Sequence, residues 1–155
     1  MVLKLSDDKR EQKLIHNITE FGWHTIHVLG DDESVEFTYT VGLFHSFQHP
    51  ELIVMGLAHE ISHGIFSLAA DIIRSGETLT QETHADQLIE GTSAYFLNVD
   101  RANYAGYTNF CTRFYEGMNY PLTQIIWPSK TGALPWQKEA PTNFALAQPV
   151  LGNPC

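Results

Sequence analysis

The stretch Phe37–Leu57, FTYTVGLFHSFQHPELIVMGL, constrains the fold more than any other part of this chain. Val35, Phe37, Tyr39 and Val41 alternate with Glu36, Thr38 and Thr40, the period of a strand with one face on a core. Leu52, Ile53, Val54 and Met55 then form an unbroken apolar run of strand length, as expected for a strand covered on both faces. Gly42 and Gly56 close the two runs. A chain with such a pair must place a sheet at its centre. Between the runs lie His45, Ser46, Gln48, His49, Pro50 and Glu51, where a purely structural turn would carry Gly, Asn or Asp. Polar groups on a connection held by buried strands are placed as a binding site usually is.

That placement sets the first functional expectation, a pocket lined by Tyr39, Thr40, His45, His49 and Glu51 for a small polar or nucleotide-like ligand. If chemistry occurs there, His49 and Glu51 are the catalytic pair, because imidazole is the natural proton shuttle near neutral pH. The plainer reading is that Glu51 caps a strand and His49 fills a turn.

The string YTVGL, followed after a short loop by HPEL and an apolar run ending in Gly, resembles the bacterial domain-of-unknown-function family four-two-six-two. QIIWPSKTGALPW and the closing Gln148-Pro149 resemble that family's C-terminal signature, so the resemblance spans nearly the whole chain. It implies a fold and a pocket and carries no activity, cofactor or catalytic residue. Where the resemblance leads one to expect an acid after Trp-Pro, this chain has Ser129. Trp127 and Trp136 stand beside prolines and offer flat surfaces for a ring-shaped ligand, or caps for a sheet edge.

A second motif points elsewhere. His59-Glu60-Ile61-Ser62-His63 matches H-E-x-x-H, in which two imidazoles one helical turn apart bind zinc and the Glu activates a metal-bound water. The surrounding pattern predicts a helix over Ala58–Ser75 with Ile61, Ile65, Leu68 and Ile72 as its buried stripe. His59 and His63 project nearly opposite that stripe, so a metal there needs a cleft on the outer face of the helix. Asp71, Glu77, Glu82 and His84 are the available third ligands, and none stands at a recognised spacing. The competing reading is a solvated helix face.

The remaining pattern fills in the architecture. Asp8 and Glu11 read as a capping box ahead of a helix carrying Leu14, Ile15, Ile18 and Phe21 and ending at Gly22. Trp23–Leu29 reads as a strand whose His24 and His27 lie on opposite faces, each a half-exposed strand histidine. Residues 77–91 read as a strand start plus an exposed loop, Ser93–Asp100 as a strand, and Ala102–Glu116 as a third helix with Tyr104, Tyr107, Cys111 and Phe114 as its stripe. That aromatic stripe reads as core, with a ligand-pocket wall as the alternative. Leu122–Trp127 is the last strand, and residues 142–155 read as an extended C-terminal segment. The expectation is a single α+β domain over residues 1–155, with a mainly antiparallel mixed sheet of about five to six strands and about three helices.

Composition narrows the partners. The net charge of −9 disfavours phosphate backbones and anionic membrane surfaces, and no basic patch is visible in the sequence. No run reaches the roughly 18 apolar residues of a membrane span, and Met1–Arg10 is too polar for a signal peptide. Cys111 and Cys155 do not make a disulfide framework, which points to a reduced, cytoplasmic setting. No G-x-G-x-x-G, Walker or G-x-S-x-G string is present. Three functions therefore remain: a small-ligand domain built around the YTVGL/HPEL connection, a zinc-dependent hydrolase using His59, Glu60 and His63, or a non-catalytic acidic protein of immunity or anti-defence type that binds a basic partner.

Overall fold

Local pattern and chain order build one mixed sheet with helices on both of its faces. The computed structural model describes residues 9–81, 83–89 and 91–154. The elements run α1 (Lys9–Phe21), β1 (His24–Val28), β2 (Phe37–Val41), α2 (Leu43–Phe47), β3 (Glu51–Met55), α3 (His59–Arg74), β4 (His84–Ile89) and β5 (Thr92–Asn98). A 3-10 turn (Arg101–Asn103), α4 (Tyr104–Tyr107), α5 (Asn109–Phe114), β6 (Leu122–Ile126) and α6 (Thr142–Ala147) follow. The six strands lie in the order β1-β2-β3-β6-β5-β4. Only the central β3–β6 pair is parallel, with Ile53 opposite Gln124, and the other four pairings are antiparallel. The chain reaches that parallel pairing by leaving β3 through α3, building the β4–β5 hairpin at the far edge, and returning along β6.

β3 bears out the reading of a strand covered on both sides, since all five of its residues are buried. Ile53 and Met55 join Phe37, Tyr39 and Val41 in one core with Leu14 and Ile18 of α1 and with Tyr104 and Cys111 of α4 and α5. Leu52 and Val54 join Phe96 and Ile125 in a second core beneath Ile65, Phe66, Ala69 and Ile73 of α3. Each such fully buried side chain contributes about 1.5–3 kcal/mol, so the two cores fix which helix covers which face. Among the described residues no helix is long and apolar enough to cross a membrane.

Several expectations are corrected. The chain has six helical segments and a 3-10 turn among its described residues, where three helices were expected. The connection after β2 contains α2, because a carboxylate satisfies the N–H groups at its start, as described below. The third helix is broken at Thr108, whose φ and ψ of −107° and 52° leave the helical region. Thr108 is buried there, and its hydroxyl and that of Thr112 both meet the Tyr120 hydroxyl, at 2.8 and 2.9 Å. Residues 77–91, expected to be a strand start plus an exposed loop, contain the edge strand β4 over His84–Ile89, and the tail expected to be extended begins with α6. The proposed cap residue Asp8 lies outside the described residues.

α3 meets the sheet with a different row from the expected isoleucine stripe. Its buried row is Ser62, Ile65, Phe66, Ala69, Ala70 and Ile73, while Ile61 and Leu68 are 55% and 46% exposed. The alanines on either side of Phe66 let the helix backbone approach the sheet, which the bulkier isoleucine stripe would not. At about 100° per residue this rotates His59, His63, Ser67 and Arg74 to the flank of the buried row, facing away from Ile61 and Leu68.

Candidate functional site: a cleft at the open edge of the sheet

The residues of the YTVGL/HPEL connection turn inward. Glu51 is fully buried and its carboxylate accepts hydrogen bonds from the backbone N–H groups of Gly42 (2.8 Å), Leu43 (3.1 Å) and Phe44 (3.3 Å). The Thr40 hydroxyl donates to it at 2.8 Å, and so does the Tyr115 hydroxyl. These partners give α2 a negative charge at its first turn, where unpaired N–H groups favour one. Both hydroxyls are themselves acceptors, Thr40 from the Leu52 N–H at 2.9 Å and Tyr115 from the His45 N–H at 3.1 Å, so their own protons point at Glu51. Burial raises the Glu51 carboxyl above its ordinary range, and the donors from Tyr115, Thr40, Gly42 and Phe44 oppose that rise. Five donors and no acceptor leave no place for a carboxyl proton, and the geometry therefore favours the carboxylate. The Tyr115 hydroxyl is pushed up by burial and by the Glu51 charge, which keeps its proton on oxygen.

Gly42 completes the lock. Its φ of +113° lies in the left-handed region, and a Cβ there would stand 2.9 Å from the Gly22 carbonyl oxygen. His49 is also engaged on both nitrogens: Nδ1–H donates to the Pro50 carbonyl at 2.8 Å, and Nε2 accepts the Leu79 N–H at 2.9 Å. Burial lowers its pKa, so it is a neutral bridge between this connection and the segment after α3. Tyr39 is buried, and its hydroxyl accepts the Phe110 N–H at 3.2 Å. His45 packs its ring edge-on against Phe114, with centroids 5.8 Å apart. Thus the structure brings Tyr39, Thr40, His45, His49 and Glu51 into one neighbourhood and ties most of their polar atoms to the fold itself.

The tryptophans lie apart from that neighbourhood. Trp127 donates its indole N–H to the Met55 carbonyl at 2.8 Å and meets Phe144 edge-on at 5.1 Å. Its backbone is held by the buried Gln148 amide, which accepts the Trp127 N–H at 2.9 Å and donates to the Trp127 carbonyl at 2.7 Å. Trp136 is 40% exposed in the turn that follows β6.

Open space is found instead where α1 and α3 overhang β1, the edge strand. A cleft of about 540 Å³ is lined by Lys13, Asn17 and Phe21 of α1, by Trp23, His24 and Thr25, and by His59, His63, Ser67, Ala70, Asp71 and Arg74 of α3. Trp23 and His63 stand with ring centroids 5.8 Å apart at 33°. His24 Nδ1 accepts the Asn17 side-chain amide at 2.8 Å, which leaves the ring's other N–H as a donor. Burial and the nearby Lys13 charge lower its pKa to about 4, so it is neutral at pH 7. Arg74 is held by the Phe21 carbonyl oxygen and lies 5.7 Å from the Phe47 ring centre. On the α3 side of β1, the face that also carries Thr25 and the one opposite His24, His27 lies 5.1 Å from the His59 ring and is engaged by Thr38 at 2.6 Å and Glu36 at 3.2 Å.

The H-E-x-x-H pair therefore does face a cleft, as a metal site would require, with its ring centroids 6.3 Å apart. Among the described residues a third ligand is what the donor set lacks. Asp71 shares the cleft but lies eight residues beyond His63, about 12 Å along the helix. His84 is on β4, the opposite edge of the sheet from β1. Glu82 lies outside the described residues. Among the described residues no group of three or more His, Cys, Asp or Glu side chains is gathered to hold a metal ion.

The α2 lock and the cleft are mechanically joined. The Ser46 hydroxyl donates to the Gly22 carbonyl at 2.7 Å, bracing the turn from which Trp23 and His24 project. A Cβ on Gly22 would stand 2.8 Å from the Phe47 ring, the same ring that carries Arg74. Residues 17–141 match the family model described as "Domain of unknown function (DUF4262)". The chain belongs to this family. The resemblance carried by the YTVGL and HPEL strings is thereby borne out at the level of the family, and the matched span includes both the α2 lock and the cleft apart from Lys13. No curated protein and no solved structure matches the chain. Sequence reasoning missed Lys13, Asn17, Trp23, Ser67 and Arg74 as site residues. The signal within reach was the row His59, His63, Ser67, Asp71 at four-residue steps, polar throughout.

Proposed function

We propose that this chain is a small-ligand-binding domain whose site is the cleft beneath α1 and α3 at the β1 edge. The carrying observation is that cavity of about 540 Å³, within the roughly 300–1,000 Å³ of ligand sites, with aromatic walls and converging polar groups. Its walls come from secondary structure, so they are held open by the two cores. The YTVGL and HPEL strings serve this reading as its frame, since Glu51 and Gly42 set α2, and α2 braces both Gly22 and Arg74. In this reading Tyr39, Thr40, His45, His49 and Glu51 act on the ligand through that bracing.

A screen of small polar compounds by ¹H–¹⁵N NMR tests the proposal. Binders should shift the backbone signals of residues 17–25 and 59–74, and Ser67→Trp, which fills the cleft from a partly exposed helix position, should abolish those shifts while leaving the circular dichroism unchanged. Binders that shift the signals around Trp136 and survive Ser67→Trp would move the site to the tryptophan turn and sink this reading.

A further inference from the structure

We infer that the ligand of this cleft is a small organic anion with a flat ring, its negative group met by Lys13 and Arg74 and its ring set against Trp23 and His63. The inference rests on the cleft being the ligand site. The chain as a whole carries −9, yet the described residues that line the cleft bring two cations, Lys13 and Arg74, against the single carboxylate of Asp71. A locally basic cleft in an acidic protein repels nothing but cations and concentrates anions that the rest of the surface turns away.

The arrangement also limits the shape of the ligand. Arg74 is fixed before any ligand arrives, by the Phe21 carbonyl on one side and the Phe47 ring on the other. A guanidinium held in this way presents its remaining donors in a set plane, which suits a carboxylate or phosphate and spares the cost of ordering the side chain on binding. Lys13 is exposed and reaches the site from α1 as a mobile point charge. Asn17 holds His24 as a neutral donor, so it adds a hydrogen bond to an anion without adding charge. Asn17, Thr25 and Ser67 are uncharged polar lining. Trp23 and His63 form the aromatic side of the cleft, and stacking against a flat ring is the contact such surfaces make best.

The experiment uses the full chain and three matched pairs of probes: AMP and adenosine, indole-3-acetate and indole-3-acetamide, benzoate and benzamide. Affinities are read from NMR titrations at low salt. In each pair that binds, the anion should bind about tenfold more tightly than its neutral partner, the size expected for one charge-assisted hydrogen bond. Lys13→Gln should cut anion affinity by about the same factor and leave the neutral partner unchanged, and Lys13→Arg should restore it. Lys13 is exposed on α1, so these variants test charge without disturbing either core. Neutral partners that bind as tightly as the anions, with cleft signals shifting, would overturn the anion inference and leave the cleft reading intact. Should no probe of either charge move a cleft signal while the wild-type protein is folded, the cleft reading falls and takes this inference with it.

Discussion

Glu51→Gln separates a structural lock from a catalytic acid, and its cost follows from the donor geometry. Glutamine has the same shape but replaces one accepting oxygen with an amide that donates. If that amide takes the place of Oε1, the Leu43 N–H at 3.1 Å loses its acceptor and the Thr40 hydroxyl must turn away. In the opposite orientation the N–H groups of Gly42 and Phe44 are left unpaired and Tyr115 faces a donor. Either way at least one buried backbone N–H is orphaned, at about 1–3 kcal/mol, and the surviving bonds lose their charge assistance. The expected destabilisation is about 3 kcal/mol, which for a domain of this length lowers the melting temperature by about 6–12 °C. Urea unfolding followed by circular dichroism should show a lower midpoint with an unchanged slope, the mark of a stability change without a change in compactness. A Glu51→Gln protein within about 0.5 kcal/mol of wild type would refute the reasoning, because it would mean that burial wins and the native carboxyl is already protonated.

Further outcomes follow from other parts of the molecule. His24 has a folded pKa lowered to about 4, so its contribution is present above pH 6.5 and is lost as the pH falls toward 4. Because the ring is partly exposed, the discounted size is about 1–2 kcal/mol, and it should appear as a shallower acid slope of unfolding free energy in His24→Gln than in wild type; parallel slopes would count against it. Gln148→Leu should cost about 2–4 kcal/mol by orphaning the N–H and carbonyl of Trp127, and limited proteolysis should then cut within residues 142–154; resistance equal to wild type would show that the amide pair is dispensable. Gly56→Ala should be among the most damaging single changes, since its Cβ would stand 2.1 Å from the Ala147 carbonyl oxygen at a φ of +80°, and soluble yield together with melting temperature reads this directly. Dialysis against excess zinc followed by elemental analysis should leave no stoichiometric metal, because His59 and His63 lack a third donor among the described residues; one zinc per chain, lost in His63→Ala, would restore the hydrolase reading.

Periodicity carried the strands well. The alternation at Phe37, Tyr39 and Val41 and the apolar run at Leu52–Met55 both mark strands that stand where they were expected, and β3 is buried on both faces as its run predicts; β2, expected to have one face on a core, is buried on both, because Thr38 and Thr40 lie on the α3 side of the sheet. The same logic failed on α3, where two overlapping apolar rows were available and only packing on the sheet could choose between Ile61/Leu68 and Phe66/Ala69/Ala70. It failed again at Ala102–Glu116, since a helix-compatible pattern does not reveal that the Thr108 and Thr112 hydroxyls are drawn to Tyr120.

The candidate site divides in the same way. His49 and Glu51 were visible as chemically able groups, but ability depends on whether their polar atoms are free, and that was decided by Leu79, Tyr115 and the α2 backbone, most of them remote in the chain. The pair His59 and His63 was legible from spacing alone, as was its need for a cleft. That the cleft exists was decided when α1 and α3 came to lie on opposite faces of the sheet and overhung its open edge, bringing Lys13, Asn17 and Trp23 to residues some fifty positions away. Sequence by itself determined where the central strands β2 and β3 and the helices α1 and α3 run, because an apolar face leaves a local period. Partners across the sheet leave none, and only the tertiary structure decided which polar groups hold the fold and which are left to meet a ligand.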